Sequence, residues 1–279
     1  MSKIWFITGT SKGFGRIWAE AALERGDKVA ATARNADSVA DLAEKYGEEN
    51  ALPIALDVTD RSGVEAAVKQ AHEHFGRLDV VVNNAGYGLF GSIEEVTEEQ
   101  ARDQIETNLF GALWVTQAAL PILREQGSGH VIQVSSVGGV YAFPGIGLYH
   151  ASKWALEGFS QSLAGEVADL GIKVTIVEPG GFSTDWAGPS SVRAEELDAY
   201  QPVRDANAKR FSNPDAVGDP EATGPAILEV VDADEPPLRI FFGATPLDLV
   251  REDYAQRVET WEQWDDLSKR AHGNQKSPA

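Results

Sequence analysis

The chain has 279 residues, of which 43 are acidic and 24 are basic, so its formal net charge is −19. Hydrophobic residues make up 43% of it, which is enough for a packed core and excludes wholesale disorder. The acidic excess argues against nucleic acid or an anionic membrane surface as partners, because both would repel it. Cysteine is absent, which excludes disulfides, a zinc–thiolate site and a thiol nucleophile.

Short apolar segments alternate along the chain with longer amphipathic ones. The apolar segments predict strands at residues 4–7, 29–32, 52–56, 78–82, 130–134, 173–177 and 238–242. The amphipathic segments predict helices at residues 14–25, 35–46, 61–75, 98–126 and 149–170, with a kink or break at Pro121. This alternation implies βαβ units, a parallel sheet and a single domain over residues 1–279.

Two regions break the alternation. Residues 185–222 are polar and contain Pro, Gly and isolated aromatic residues, which predicts a functional loop beside the substrate. Residues 245–270 have a helical pattern with Trp261 and Trp264 on one face. Residues 1–9 lack the long apolar core of a signal peptide, and no apolar segment approaches the roughly 20 residues of a membrane span. We therefore expect a cytoplasmic protein without membrane contact.

A glycine-rich sequence, Thr8-Gly9-Thr10-Ser11-Lys12-Gly13-Phe14-Gly15, joins the first strand to the first helix. Gly9 permits a tight turn, and Gly13 and Gly15 let the backbone approach a pyrophosphate at the helix N-terminus. The spacing is not the better-known Gly-x-Gly-x-x-Gly, and glycine-rich turns are common. Its place directly after the first strand nevertheless favours a dinucleotide site over an ordinary turn.

A second motif, Asn83-Asn84-Ala85-Gly86, ends the fourth predicted strand. It places a loop beside the first one, at the carboxyl ends of neighbouring strands, where ligands bind in open α/β sheets. Taken alone, Asn83 is equally compatible with a simple turn.

A third motif, Tyr149-His150-Ala151-Ser152-Lys153, lies at the start of a predicted helix. Tyr149 and Lys153 are four residues apart and share a helix face. A phenol has a reference pKa of about 10, and a neighbouring ammonium favours the phenolate and lowers that value. Such a pair can exchange a proton near neutral pH, although a surface Tyr/Lys pair without function is common.

In this order, TGxxxGxG, NNAG and YxxxK resemble the short-chain dehydrogenase/reductase family in its shorter branch. The resemblance covers residues 3–184, and the strand at 238–242 also fits. It implies a Rossmann-type α/β fold, a doubly wound parallel seven-stranded sheet with helices on both faces. It also implies an enzyme that transfers a hydride between a nicotinamide cofactor and a carbonyl or alcohol group.

The family pattern adds a Ser thirteen residues before the Tyr and an Asn in the helix after the fourth strand. These positions fall on Ser136, with Ser135 as the adjacent alternative, and on Asn108. By this resemblance, Ser136 donates to the substrate oxygen and Tyr149 exchanges a proton with it. Lys153 lowers the pKa of Tyr149 and holds the nicotinamide ribose, and the backbone of Asn108 anchors a water that joins Lys153 to solvent.

The resemblance also assigns cofactor contacts. Residues 179–184 resemble the PGxxxT segment, whose Thr contacts the nicotinamide carboxamide, and Asp57 resembles the contact to the adenine amine, although it could equally cap a helix. The residues expected to bind the cofactor are Gly9, Ser11, Lys12, Gly13, Phe14, Gly15, Arg34, Asp57, Val58, Asn84, Ala85, Gly86, Tyr149, Lys153, Pro179, Gly180, Phe182 and Thr184.

The residues after the second strand indicate which dinucleotide is bound. Ala33 stands where an acidic residue would bind the ribose 2′-hydroxyl of NAD(H), and Arg34 follows it. Lys12 precedes Gly13 in the glycine-rich loop. Two cations near the adenosine ribose favour a 2′-phosphate, so we predict NADP(H) over NAD(H). The alternative is that Arg34 simply lies on the surface.

Four aromatic residues are expected to line the substrate pocket: Tyr141, Phe143, Phe182 and Trp186. They favour an apolar ketone or secondary alcohol, although any of them could be core instead. The two closest histidines, His72 and His74, do not share a helix face, so we predict no metal. The resemblance implies a homodimer or higher homo-oligomer, and the remaining partner is the small-molecule substrate.

The leading interpretation is therefore an NADPH-dependent carbonyl reductase that also works as an alcohol dehydrogenase. The first alternative is a non-catalytic NADP(H)-binding regulator on the same fold, which would typically have lost the active-site Tyr or Lys. The second is the longer epimerase or dehydratase branch, which the glycine spacing disfavours.

Overall fold

The computed structural model describes residues 2–188, 190–210, 213 and 216–273. In chain order, the strands are β1 (Ile4–Thr8), β2 (Lys28–Ala33), β3 (Ala51–Ala55), β4 (Val80–Asn83), β5 (Leu89–Phe90), β6 (Gly129–Val134), β7 (Ile172–Pro179), β8 (Val192–Arg193) and β9 (Arg239–Phe242). The α-helices are α1 (Gly13–Glu24), α2 (Ala40–Tyr46), α3 (Arg61–Phe75), α4 (Glu98–Ile105), α5 (Gly111–Gln126), α6 (Gly147–Val167), α7 (Gln201–Arg210), α8 (Thr223–Asp232) and α9 (Pro246–His272).

Seven strands form one parallel sheet in the order β3-β2-β1-β4-β6-β7-β9, and β5 pairs with β8 beside it. The chain starts in the middle of the sheet at β1, runs outward to β3, and returns to β4 on the other side of β1. Ile7 accordingly pairs with Ala31 in β2 and with Val82 in β4. This reversal of strand order opens a crevice at the carboxyl ends of β1 and β4, where ligands bind in such folds.

Both faces of the sheet are covered, because side chains of one strand alternate between two apolar cores. Trp5 and Ile7 pack into the core that includes Trp18 of α1. Phe6 points the other way, into the core that includes Leu123 of α5. The strands are therefore apolar on both sides, as a parallel sheet between two helix layers requires. The predicted doubly wound, single-domain α/β fold is confirmed.

Local signals explain where the helices begin and end. Asp60 caps α3, since its carboxylate accepts a hydrogen bond from the backbone N–H of Ser62. Gly76 ends the same helix with a φ of 81°, a left-handed conformation that glycine adopts without a Cβ clash. Predicted residues 35–46 divide into a 3₁₀ turn, Ala36–Val39, and α2, with Asn35 capping the turn.

The predicted helix over residues 98–126 is interrupted, but not at Pro121. α4 and α5 are separated by a turn of π-helix, Glu106–Phe110, and Pro121 lies inside α5. Proline removes one backbone hydrogen bond to the carbonyl four residues earlier. Pro121 and Gln117 are both exposed, so water can satisfy that carbonyl and the helix continues.

The region at residues 185–222 contains the 3₁₀ turn Asp185–Ala187, β8 and α7, and part of the predicted loop, including Phe211, lies outside the described residues. The predicted C-terminal helix is confirmed as α9. It carries exposed Trp261 and Trp264. Across the described ranges, no helix is both long and apolar enough to cross a membrane.

Candidate active site

The glycine-rich loop connects β1 to α1 in a conformation that requires glycine. Gly9 and Gly13 have φ values of 71° and 60°. A Cβ on Gly15 would lie 2.4 Å from the carbonyl oxygen of Gly9 and 2.5 Å from Nδ2 of Asn84, so no larger residue fits between loop and helix. A Cβ on Gly13 would instead meet nothing within 4 Å. The loop is therefore closed towards the sheet and open on its outer side.

The first turn of α1 is open to an anion. Lys12 occupies the N-cap position in extended conformation, and its side chain makes no capping hydrogen bond. The first backbone N–H groups of a helix have no intrahelical acceptor and carry a partial positive charge. Together with the open space at Gly13, this fits the pyrophosphate of a dinucleotide.

Thr8 locks the second loop against the first. Its Oγ1 accepts hydrogen bonds from the backbone N–H groups of Asn84 and Ala85, both at 2.9 Å, and lies 3.2 Å from the carbonyl of Val82. Nδ2 of Asn84 donates back to the carbonyls of Thr8 and Gly9, at 2.9 and 3.0 Å. Asn84 thus organises the crevice itself, and Thr8 is a functional residue that the motif analysis did not single out.

Asn83 has a different role from its neighbour. Its side-chain Nδ2 donates to Thr116 Oγ1 in α5 at 3.0 Å, away from the crevice. Asn83 is therefore the last residue of β4 and joins this strand to α5, so neither the ligand-loop role nor the simple turn describes it.

Tyr149 and Lys153 lie on one face of α6, as their spacing predicts, and both are buried. The Lys153 Nζ is 5.8 Å from the centre of the Tyr149 ring and donates to the carbonyl of Val134 at 2.7 Å. Ser136 Oγ accepts from the backbone N–H of Gly138 at 3.0 Å. The Ser136 side chain also lies close enough to the Tyr149 hydroxyl to lower the Tyr149 pKa as a hydrogen-bond partner. The structure therefore brings Tyr149, Lys153 and Ser136 together.

Ser135, the alternative to Ser136, faces another direction. Its Oγ is buried and has no hydrogen-bond partner among the described residues. A Cβ placed on Gly139 would lie 2.4 Å from this Oγ and 3.1 Å from Oε1 of Glu157. The Ser135 side chain therefore lies on the Glu157 side of the loop, whereas Ser136 faces Tyr149.

Burial dominates the acid–base properties of this site. It raises the pKa of Tyr149 to about 12, and the hydrogen bond from Ser136 works against that rise. The pKa of Lys153 is lowered to about 8 by burial, while the charge of Glu157 opposes the change. The Tyr149 pKa is therefore raised where the sequence predicted a lowered value, because burial disfavours the phenolate and Lys153 is not among the groups that shift it. Tyr149 is poised as a proton donor.

Asn108 lies in the π-helical turn and is fully engaged. Its Oδ1 accepts from the backbone N–H of Tyr87 at 3.1 Å, and its Nδ2 donates to the carbonyl of Tyr87 at 3.0 Å and to Ser152 Oγ at 3.1 Å. Ser152 Oγ donates in turn to the carbonyl of Tyr149 at 2.7 Å. A Cβ on Gly86 would lie 3.0 Å from Asn108 Oδ1 and 3.7 Å from Lys153 Nζ. Asn108 thus ties the loop after β4 to α6 close to Lys153.

His150 was not predicted as a site residue, although it is buried beside Tyr149. Its Nδ1 lies 2.8 Å from the carbonyl of Gly138, in the loop that carries Ser136. Burial lowers the pKa of His150, against the opposing effect of the carbonyls of Gly138 and Tyr141. The sequence does show a histidine inside the YxxxK motif. It does not show the contact of this histidine with Gly138, which lies twelve residues earlier in a loop.

Three of the four predicted pocket residues lie near Tyr149. The Trp186 ring centre is 4.9 Å from that of Tyr149. Tyr141 and Phe143 pack together at 6.2 Å, and Phe143 contacts His150 at 4.5 Å. Phe90 in β5, which sequence reasoning missed, packs against Trp186 at 5.4 Å.

Phe182 occupies a different place from the other three. It packs edge-to-face on Phe14 at 5.1 Å between ring centres, and a Cβ on Gly218 would lie 2.6 Å from its ring. Phe182 was predicted to contact both the cofactor and the substrate. Its place beside Phe14 of the glycine-rich loop is consistent with the cofactor contact. The neighbouring Thr184 caps the turn Asp185–Ala187, since its Oγ1 accepts from Trp186 N at 3.4 Å.

At the adenosine side, Arg34 is exposed and makes no hydrogen bond or ion pair with any residue in the described ranges. Lys12 Nζ lies 3.6 Å from a carboxylate oxygen of Asp185, which sequence reasoning did not identify. Asp57 Oδ1 accepts from the backbone N–H and the hydroxyl of Thr59, at 3.0 and 2.8 Å. The N-cap of α3 is Asp60, so the alternative interpretation of Asp57 as the cap of this helix is wrong.

A buried charged cluster lies behind Lys153. Arg239 Nε is 2.9 Å from Glu157 Oε2 and 3.5 Å from Glu178 Oε1. Burial, followed by the charge of Glu157, raises the pKa of Glu178 to about 8. Glu157 lies one turn after Lys153 on α6, and its charge acts to raise the Lys153 pKa.

This cluster predicts a pH dependence. Lys153 carries a proton below its pKa of about 8. If this proton replenishes Tyr149 during reduction of a ketone, the rate of reduction should fall as the pH rises through that value. Glu157→Gln removes the charge that raises the Lys153 pKa, so the fall should move to lower pH. Glu166→Gln is the matched control, because it makes the same change on the exposed face of α6, where the carboxylate bonds to Ser162 and is not among the groups that shift the Lys153 pKa. Initial rates between pH 6 and 10 provide the measurement, and identical profiles for both variants would contradict it.

The prediction that no metal is bound concerns the arrangement of the His, Asp and Glu side chains. Within the described part of the chain, no group of three His, Asp or Glu side chains is arranged to hold a metal ion.

Comparison with known proteins places this geometry in a family. The sequence profile described as short chain dehydrogenase matches residues 3–194. The oxidoreductase BOA17 of Botryotinia fuckeliana is 45% identical, over 96% of this chain and 98% of its own length. A 3-ketodihydrosphingosine reductase of Bacteroides thetaiotaomicron is 37% identical, over 86% of this chain and 88% of its own.

A solved structure agrees with these sequence matches. A short-chain dehydrogenase from Streptomyces avermitilis superposes with a TM-score of 0.89 and 39% identity, covering 96% of this chain and 98% of that one. The fold, the crevice and the relatives all lead to the same assignment. The chain belongs to the short-chain dehydrogenase family and is an NAD(P)-dependent oxidoreductase.

Proposed function

We propose that this protein is an NADPH-dependent carbonyl reductase, reversible as an alcohol dehydrogenase, that acts on an apolar ketone or secondary alcohol in the cytoplasm. The observation that carries the proposal is the buried Tyr149 side chain with Ser136 beside its hydroxyl and Lys153 on the same helix face. A non-catalytic regulator would have no need to keep all three groups together in a buried crevice.

In the proposed reaction, the nicotinamide supplies the hydride when bound. Ser136 Oγ accepts from Gly138 N–H, and its own proton, directed towards Tyr149 in the free enzyme, turns to the substrate oxygen as negative charge develops there. Tyr149 transfers its proton to the same oxygen, and its raised pKa keeps it protonated near neutral pH. Lys153, held by the carbonyl of Val134, replenishes the proton from the buried side.

The substrate class follows from the side chains around Tyr149. Trp186, Phe90, Tyr141 and Phe143 form a mostly apolar aromatic border, with the Arg193 guanidinium stacked on the Phe90 ring at 4.6 Å. Such a border favours an apolar group next to the carbonyl. The name of the Bacteroides thetaiotaomicron relative, a 3-ketodihydrosphingosine reductase, also specifies reduction of a ketone. We propose a homodimer as the assembly, following the family resemblance.

The preference for NADPH rests on Arg34 and Lys12. Arg34 is exposed, has no competing partner in the described ranges and follows Ala33, where no carboxylate repels a phosphate. The test is loss of the reduced nicotinamide absorbance over a panel of aryl, bulky and aliphatic ketones, with NADPH and separately with NADH. Turnover that favours NADPH would support the proposal, and cofactor binding without turnover of any ketone would contradict it.

The same assay checks a variant. Arg34→Ala should reduce kcat/KM for NADPH by about tenfold or more, because a charge-assisted hydrogen bond to the 2′-phosphate is lost, and should change the value for NADH little. Arg124→Ala, at an exposed position in α5, is the matched control. Equal losses with both cofactors would remove Arg34 from phosphate recognition.

A further inference from the structure

The backbone of Gly138 connects Ser136 to α6. Its N–H donates to Ser136 Oγ at 3.0 Å, and its carbonyl lies 2.8 Å from His150 Nδ1. A carbonyl oxygen only accepts, so Nδ1 carries the proton and donates it. His150 is therefore joined through a single residue to the hydroxyl that faces Tyr149.

This connection is close-packed. A Cβ on Gly138 would lie 3.0 Å from His150 Nδ1 and 3.3 Å from Ser136 Oγ, so glycine lets both side chains approach the same backbone. If the donor at Nδ1 were removed, the Gly138 carbonyl would lose its partner on α6. The N–H of Gly138, which orients Ser136, would then be free to shift together with the Gly138 carbonyl.

The other side of the His150 ring contacts the aromatic border. Nε2 accepts from the backbone N–H of Phe143 at 3.5 Å, and the Phe143 ring packs edge-to-face on the imidazole at 4.5 Å between centres. A neutral ring with the proton on Nδ1 satisfies the Gly138 and Phe143 contacts, and the Tyr141 carbonyl, which raises the His150 pKa, is a further polar neighbour of the ring. Only 3% of His150 is exposed, so its role is internal to the loop.

We propose that His150 is a positioning residue for the carbonyl reduction, holding Gly138 so that Ser136 directs its proton towards the substrate oxygen. This inference rests on the proposed function. Among the described residues, His150 and Ser136 are joined only through the Gly138 backbone, so His150 acts through that residue. Its second contact fixes the start of the aromatic border at Phe143.

Two amide substitutions separate the two ring nitrogens. The side-chain amide of His150→Asn lies where Nδ1 lies and can donate to Gly138, whereas that of His150→Gln lies where Nε2 lies and cannot. We expect His150→Asn to keep kcat within about threefold of the wild type and His150→Gln to lower it at least about tenfold. The dissociation constant for NADPH, measured by fluorescence, should be unchanged in both.

A double variant tests whether His150 acts through Ser136. Adding His150→Gln to Ser136→Ala should lower kcat by no more than about twofold further, because the hydroxyl that it positions is already absent. Equal activity of the Asn and Gln variants, a full additional loss in the double variant, or loss of NADPH binding by His150→Gln would each overturn the proposal. If the wild type turns over no ketone, both the proposed function and this inference are rejected. If the wild type turns over ketones and the variants do not behave as expected, only the role of His150 is rejected.

Discussion

Replacing Tyr149 by Phe is expected to lower kcat for ketone reduction by about a thousandfold, within the range for a lost general acid. The phenol is the proposed proton donor: it is buried, it lies beside Ser136, and burial raises its pKa to about 12. The Phe ring keeps the edge contact with Trp186. The dissociation constant for NADPH and the melting temperature should therefore change little.

Tyr46→Phe is the control for the Tyr149 experiment. Tyr46 lies on α2, and its hydroxyl bonds to the side chain of Glu24 at the surface, so its removal should leave turnover unchanged. Stopped-flow and steady-state rates with NADPH and the best ketone provide the measurement. A Tyr149→Phe enzyme as fast as the wild type would show that the proton comes from elsewhere.

The second large effect is expected at Gly15. In Gly15→Ala, the new Cβ would meet the Gly9 carbonyl at 2.4 Å and Asn84 Nδ2 at 2.5 Å, so α1 and both crevice loops must move apart. We expect a loss of about 1–3 kcal/mol in the free energy of unfolding, as for other overpacked sites. We also expect NADPH to bind at least about tenfold more weakly, because the loop and the N-terminus of α1 no longer share one geometry.

Gly158→Ala is a matched control, since it makes the same chemical change in another helix. Gly158 is exposed in α6, and its Cβ would meet nothing within 4 Å. It should stabilise the fold by about 0.5–1 kcal/mol through helix propensity. Urea unfolding and NADPH titration of both variants check the pair. Weakened NADPH binding in Gly158→Ala as well would mean that Gly15 has no special place in the crevice.

Patterns within a few residues of one another predicted most of the framework. The i, i+4 spacing placed Tyr149 and Lys153 on one helix face, and Gly9, Gly13 and Gly15 revealed a turn that only glycine can form. Ser136 needed the family spacing, because nothing in Ser135-Ser136 says which hydroxyl faces the site. The structure separates them through the direction of each side chain.

Residues that act through distant partners escaped the sequence analysis. Thr8, His150 and Ser152 derive their roles from contacts across loops that lie far apart in the chain. The pKa of Tyr149 was expected to fall because the pattern shows the neighbouring ammonium and not the burial. α7 was missed because its polar sequence lacks the apolar periodicity that identifies a helix.

The π-helical turn at Glu106–Phe110 also fixes the number of residues that can connect α4 to α5. A π-turn holds one more residue than an α-turn, and each α-helical residue turns the helix by roughly 100°. Losing one residue here would rewind the segment and rotate either Asn108 away from Ser152 or the buried face of α5 away from the sheet. Insertions and deletions in descendants of this chain should therefore accumulate in the outer loops and be purged from these five positions.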